Sequence, residues 1–352
     1  MPGTLVARAL EEASLASDLG FAVAGDYGDP AGEYAALRTD AAVVDRSTRG
    51  VVTVTGSDAR SFLDALVSQA LEDVGDGEGT HSLLLQPTGK LEVDFRLLGV
   101  GDGFWLDCEP GFGERLTASL SRYRIRVDAE ITDRSGEWGV VSVVGPSAPE
   151  RVAAVLGVTV PERAGAHVAW RDLRLVRDGR FAVPVADLVG PAEGLAVAWD
   201  TFVDAGLPRA GLVAWEALRI EDGVPRQGWD LDESTIPQEA FLEESAVSFD
   251  KGCFLGQELV CRIRDRGHVN RHLRRLVSDP GDAPVIGAPV IGATVIGAEG
   301  REVGRVTSGA VVPGTDRAVA LAYVRREVEP GGTVAVQWDG SDVAATVHTL
   351  RG

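Results

Sequence analysis

SFDKGCFLGQELVCRIRDRGHVNRHLRRL, residues 248–276, holds two of the chain's three cysteines, one of its two lysines and two of its five histidines. A stretch so dense in reactive side chains has three readings: a metal site, an activated thiol, or a packed segment with polar decoration. The metal reading fails on spacing. His268 and His272 have three residues between them, as in the histidine half of a zinc finger. Seven residues separate Cys253 from Cys261, however, where a finger needs about two to four. The alternation of Leu259-Val260-Cys261-Arg262-Ile263-Arg264 predicts a strand carrying Cys261 as a small buried group.

Cys253 differs. Gly252 and Gly256 flank it and allow a tight turn that leaves the sulfur exposed, and Lys251 and Arg262 are cations that favour thiolate. A free cysteine is also commonly a buried hydrophobe, and composition leaves both readings standing. Gln257 and Glu258 form a donor–acceptor pair suited to a heterocycle edge, or a plain surface pair. Arg262, Arg264, Arg266, Arg271, Arg274 and Arg275 make this the most basic part of the chain. They read as a solvated face or as a wall for an anion, since guanidinium forks suit carboxylates and phosphates.

The rest of the chain sets bounds. Its 352 residues call for two or three domains. A net charge of −19 disfavours binding to nucleic acid or anionic membranes. The opening MPGTLVARALEEASLASDLG reads as a short amphipathic helix rather than a signal peptide, and no window has the roughly 18 apolar residues of a spanning helix. Three cysteines argue for a reducing compartment, so the expected location is cytoplasmic. Of 34 basic residues only Lys90 and Lys251 are lysine, each beside a glycine, and lysine supplies an ammonium whose pKa can move.

Local patterns predict a mixed α+β chain. Residues 50–56 read as a strand, and a helix capped at Ser57 or Asp58 runs through Phe62, Leu63, Leu66 and Val67 to Ala70. Three strands follow from His81 to Cys108, joined at 87–89 and 101–103. A helix is expected over 111–124, a strand over 124–133, a strand from Trp138 and a helix over 148–156. Short strands from His167 and helices near 194–206 and 211–222 complete this part. Val-Ile-Gly-Ala recurs at 285–288, 290–293 and 295–298, a period too short for a solenoid, and reads as a loop or strand edge. Strands dominate afterwards, so residues 277–352 are expected to form a β-barrel domain and 1–276 a larger region of two subdomains. No hydrolase triad assembles from the sequence, and no Gly-x-Ser-x-Gly elbow is present.

Lys251 to Gly267, KGCFLGQELVCRIRDRG, resembles the Lys-Gly-Cys-aromatic-x-Gly-Gln-Glu signature of the YgfZ family of folate-binding proteins, relatives of the glycine-cleavage T-protein (aminomethyltransferase). VTVTGSDARSFLDALVSQALEDV, LLLQPTGKLEVDFRLL and EALRIEDGVPRQGWDLDESTIPQEAF extend the likeness over most of the chain. The resemblance implies a ring of subdomains around a central channel for tetrahydrofolate or a one-carbon derivative, closed by a C-terminal barrel. It implies a factor that supports iron–sulfur enzymes, including tRNA-modifying ones, and their assembly proteins. Cys253 then carries the functional thiol beside Lys251, and Asp94 falls near the aspartate that the T-protein sets at the reacting nitrogen of folate. Gly252, Gly256, Gln257, Glu258 and Arg262 fall to the folate side. The T-protein's Cys-Gly-Tyr-Thr-Gly-Glu segment, whose glutamate grips the pterin, has no counterpart in RDLRLVRDGRFAVPV. The alternatives are folate-dependent aminomethyl transfer and a docking scaffold with a vestigial pocket.

Overall fold

The computed structural model describes residues 3–278, 291–338 and 341–350. Its start corrects an expectation. In place of an amphipathic helix there is one 3-10 turn, Ala7–Leu10, and then a hairpin of β1 (Ser14–Asp18) and β2 (Phe21–Asp26). Leu19 and Gly20 take φ of 49° and 87°, and this left-handed pair closes a two-residue turn that matches the strands' twist. Turn geometry and pairing outweigh the helical spacing of the apolar residues. α1 (Pro30–Thr39) follows, with Asp29 accepting from Gly32 N and Pro30 in its first turn.

After β3 (Ala42–Arg46) the chain builds a five-stranded antiparallel sheet. Its elements are β4 (Gly50–Thr55), α2 (Ala59–Leu66), β5 (Gly79–Leu85), β6 (Leu91–Val100), β7 (Gly103–Cys108), α3 (Gly113–Ser121) and β8 (Glu130–Asp133), with strand order β5-β6-β7-β4-β8. The two expected turns are present, with Gly89 and Gly101 at positive φ. The helix and strand expected over 111–133 are shorter than their apolar patterns, ending at Ser121 and starting at Glu130. Alternation along β6 sends Val93, Phe95 and Leu97 toward α2 and α3, where they pack with Phe62, Leu63, Leu116 and Leu120.

β9 (Trp138–Val144), α4 (Ala148–Leu156), β10 (His167–Trp170), β11 (Leu173–Asp178), β12 (Val185–Pro191), α5 (Ala192–Asp204) and β13 (Arg209–Ala210) form a second unit. Its six-stranded sheet has the order β10-β11-β12-β9-β3-β13, antiparallel except where β13 lies parallel to β3. Trp199 and Phe202 of α5 fill one face with Val141, Val143, Leu175 and Leu188. Val51 and Leu98 of the first sheet meet Val140, Val176 and Val189 of the second in a small apolar seam.

α6 (Leu212–Glu221) leads into an irregular stretch that contains α7 (Glu243–Ala246) and α8 (Gln257–Arg266). Here a second expectation fails, because the segment holding Cys261 is a helix. Leu259, Val260 and Ile263 make a helical stripe of which Val260 is fully buried, and the alternation of apolar and basic residues imitates a strand over too few positions. Glu258 in the first turn and Arg264 and Arg266 in the last complement the helix dipole.

The barrel is closed by β14 (Arg271–Ser278), β15 (Thr294–Ile296), β16 (Glu302–Val311), β17 (Ala318–Arg325), β18 (Thr333–Trp338) and β19 (Ser341–His348). A boundary between 276 and 277 falls inside β14. The first Val-Ile-Gly-Ala copy and the start of the second lie outside the described residues, and the third contributes to β15. One large apolar cluster joins Leu83, Leu85 and Leu91 of the β5–β6 hairpin, Phe254 and Val260, α6 and the barrel residues Leu273, Leu321 and Tyr323. The KGCFLGQE stretch therefore sits where hairpin, helix and barrel converge.

Candidate functional site

Beside the small apolar seam, buried charged side chains occupy the space between the two sheets, on strands whose opposite faces carry the apolar cores. Arg96 of β6 donates to Asp187 of β12 at 2.7 Å and to Asp107 of β7 at 2.6 Å. Arg49 bridges Asp107 (2.6 Å) and Glu109. Arg226 then links Glu109, Asp18 and Glu216, each at 2.7 Å, and Arg219 links Glu216 to Asp230 and to Ser308 of the barrel. Burial alone would raise the Glu109 carboxyl, but Arg226 and Arg49 overcome it and hold it well below the usual carboxylate range. Arg46 goes the other way: burial, then the like charge of Arg49, brings its guanidinium down to about 10. The net clamps three parts of the chain together, and breaking one member would leave a buried charge uncompensated.

Beside this net lies a cavity of about 270 Å³. It is lined by Gly79, Thr80 and His81 of β5, by Arg96, by Arg163–Gly165 and Arg177–Arg180, and by Ser245 of α7. Arg180 is spent on a forked pair with Asp178, at 2.6–3.2 Å, and Arg163 pairs with Glu78. Two cationic donors are not spent. Nη1 of Arg177 and Nε of Arg96 are buried without a hydrogen-bond partner, and with Arg163 and Arg180 these two residues make four arginines in the cavity lining, a set that suits an anion.

His81 joins the cavity to Asp94. Its Nε2 meets Oδ1 of Asp94, and its Nδ1 lies 3.0 Å from Oγ of Ser245. Gln227 fixes Asp94 from behind, accepting from its backbone N–H at 2.8 Å and donating to the Glu92 carbonyl at 3.0 Å. Asp94 thus reaches the cavity through an imidazole.

The KGCFLGQE residues take different positions. Lys251 is an anchor: its Nζ donates to the carbonyls of Asp64 (2.6 Å), Val67 (3.1 Å) and Gln69 (2.9 Å) and to the Asp64 carboxylate (3.1 Å), at the end of α2. Burial lowers its pKa, and the hydrogen bond to Asp64 offsets part of that. Gly256, at φ 77°, presses against Gly89 of the β5–β6 turn: a methyl on Gly89 would come within 2.9 Å of the Gly256 carbonyl. Gln257 accepts from Phe254 N–H at 3.3 Å and holds the loop's bend. Gly252 and Cys253 are exposed on that loop, and Glu258 and Arg262 are exposed on α8. The six arginines divide rather than form one wall. Those of α8 are solvated, whereas Arg271 grips Glu239 and lies over Tyr323, Arg274 stacks on Phe241, and Arg275 donates to the Glu221 carbonyl.

Sequence reasoning missed His81, Ser245 and Arg177. His81 and Ser245 lie 164 residues apart in the chain and meet only because α7 packs on β5. Among the described residues, no three His, Cys, Asp or Glu side chains are gathered as a metal site would need, and no helix is long and apolar enough to cross a membrane.

This architecture, an α+β body closed by a six-stranded barrel, is that of the glycine-cleavage T-proteins, and the chain belongs to their family. Residues 9–251 match the GCVT N-terminal domain and residues 271–351 the glycine cleavage T-protein C-terminal barrel domain. An aminomethyltransferase of Rubrobacter xylanophilus is 30% identical over 335 residues, covering 92% of this chain and 87% of its own. One from Cutibacterium acnes is 29% identical over 346 residues, covering 92% and 90%. The crystal structure of glycine cleavage system aminomethyltransferase T from Bartonella henselae superposes with a TM-score of 0.86 over 99% of this chain and 97% of that one, at 22% identity.

Proposed function

We propose that the chain is a tetrahydrofolate-binding protein that supports iron–sulfur enzymes or their assembly, with an exposed thiol at Cys253, rather than a glycine-cleavage aminomethyltransferase. The observation that carries the folate part is the arginine-lined cavity, to which Arg96, Arg163, Arg177 and Arg180 all contribute. The carboxylates of a folate tail are anions of the kind guanidinium groups suit. Residues 171–185 contribute the Asp178–Arg180 pair to the cavity lining and contain no glutamate to grip a pterin. That departure weighs against aminomethyl transfer, which otherwise has the names of the relatives in its favour. Supporting a separate role for the thiol, Cys253 sits on an exposed loop that Lys251 and the Gly89–Gly256 contact hold in place. A docking scaffold remains the reading to be excluded.

Calorimetry with tetrahydrofolate under reductant, on wild type and Cys253→Ala, tests both parts when joined to iron–sulfur enzyme activity in cells carrying each form. Binding by both proteins, with activity lost only in the mutant cells, is the expected result. Turnover of an aminomethyl donor to methylene-tetrahydrofolate would restore the transferase reading, and full activity with Cys253→Ala would leave the scaffold.

A further inference from the structure

Ser245, His81 and Asp94 form a chain of three hydrogen-bonded groups that ends in the cavity. A carboxylate only accepts, so the hydrogen between His81 and Asp94 resides on Nε2. In the neutral form of that ring Nδ1 carries the lone pair, and the Ser245 hydroxyl at 3.0 Å is placed to donate to it. A hydroxyl on a neutral imidazole that an acid orients is the arrangement of an activated serine, here with the serine on Nδ1 and the acid on Nε2. The serine is held in place: Gln69 Nε2 donates to its carbonyl at 3.2 Å, and Ser68 Oγ to the next carbonyl, that of Ala246, at 2.6 Å. Arg96, Arg163, Arg177 and Arg180 line the same cavity, and their positive charge favours an acyl group that carries a carboxylate.

We propose that Ser245 is the nucleophile of an acyl-transfer site, hydrolysing esters whose acyl group ends in a carboxylate. Ser245 Oγ bonds to the acyl carbon while its proton passes to His81 Nδ1. The bond to the leaving alcohol then breaks, and that alcohol takes the proton from Nδ1. Water attacks the acyl-serine in the second half, giving one proton to Nδ1, which returns it to Oγ as the acid departs. His81 and Ser245 are the catalytic residues, and Asp94 is a positioning residue that keeps the ring in one tautomer. The activity shares the cavity of the folate proposal and does not rest on it. A protein that turns over esters without binding tetrahydrofolate, or the reverse, separates the two.

The test uses the full chain, a fluorophosphonate probe read by peptide mass spectrometry, and the 4-nitrophenyl monoester of glutarate beside 4-nitrophenyl acetate. The expected adduct is on Ser245. The glutarate ester is expected to be favoured in kcat/KM by about tenfold or more, and Arg177→Ala should erase that preference. Ser245→Ala and His81→Gln should each lower turnover about a hundredfold or more. Asp94→Asn should lower kcat, leave KM near wild type and displace the pH profile, which a merely structural residue would not do. A wild-type protein with no adduct at Ser245, or ester hydrolysis that survives Ser245→Ala, overturns the proposal.

Discussion

His167 makes acid sensitivity calculable. It begins β10, is only 3% exposed, and places Nε2 2.9 Å from the Gly99 carbonyl of β6, so it ties the second sheet to the first. Burial is the main cause that brings its pKa from 6.5 down to about 4; the Gly99 hydrogen bond opposes this and the nearby charge of Arg174 adds to it. Between those values the unfolded chain binds a proton that the folded chain refuses. The contribution of His167 to stability is thus complete above pH 6.5 and is lost as pH falls toward 4. From pH 7 to pH 5 the loss is about 2 kcal/mol, from the linkage relation with these two pKa values. Glu243, pushed up to about 7 by burial and by its neighbour Glu244, acts oppositely and gains stability as pH falls. His167→Gln isolates the histidine, because Glu243 is common to both proteins and glutamine can still donate to Gly99. Urea unfolding of both proteins at pH 7, 6 and 5 should show wild type losing about 2 kcal/mol more than the variant. Equal pH slopes would refute the reasoning, since they would mean that folded His167 accepts its proton as freely as the unfolded chain.

Other expectations follow from the anchoring of the Cys253 loop. Lys251→Met removes the ammonium from three carbonyls at the end of α2 and should cost about 2–3 kcal/mol in urea unfolding, with faster amide exchange through residues 64–69 and 247–256. Lys251→Arg should rescue little, because a planar fork cannot copy three converging donors. Unchanged stability with lost cellular function would instead make Lys251 a chemical group. Gly256→Ala should destabilise by more than about 1 kcal/mol, since φ is 77° and the new methyl would lie 2.9 Å from Leu85 Cβ; a neutral result by the same measurement would count against the close hairpin–loop contact.

Much of the fold was legible because local rules and tertiary packing agree. β6 opens with an alternation of apolar and polar residues, the turns on either side of it carry glycine at positive φ, and the barrel's strands are rich in valine. The sequence misled where local patterns were ambiguous. Residues 259–264 alternate like a strand over a window too short to expose their helical stripe, and the segment before Leu19–Gly20 is helical in spacing but paired in fact. At the candidate site, the signature pointed to Lys251, which anchors the loop, and to Cys253, which is exposed. Asp94 was legible as one carboxylate. Its connection through His81 to Ser245 depends on a contact between distant segments that no spacing rule encodes.

In the function proposed above, the arginine-lined cavity takes the carboxylate end of a folate. Calorimetric titration of tetrahydrofolate into wild type and Arg177→Ala tests it most directly. One-to-one binding by wild type, weakened about tenfold or more by loss of the Arg177 guanidinium, is the predicted result. No heat of binding with wild type, or an affinity indifferent to Arg177, would contradict it.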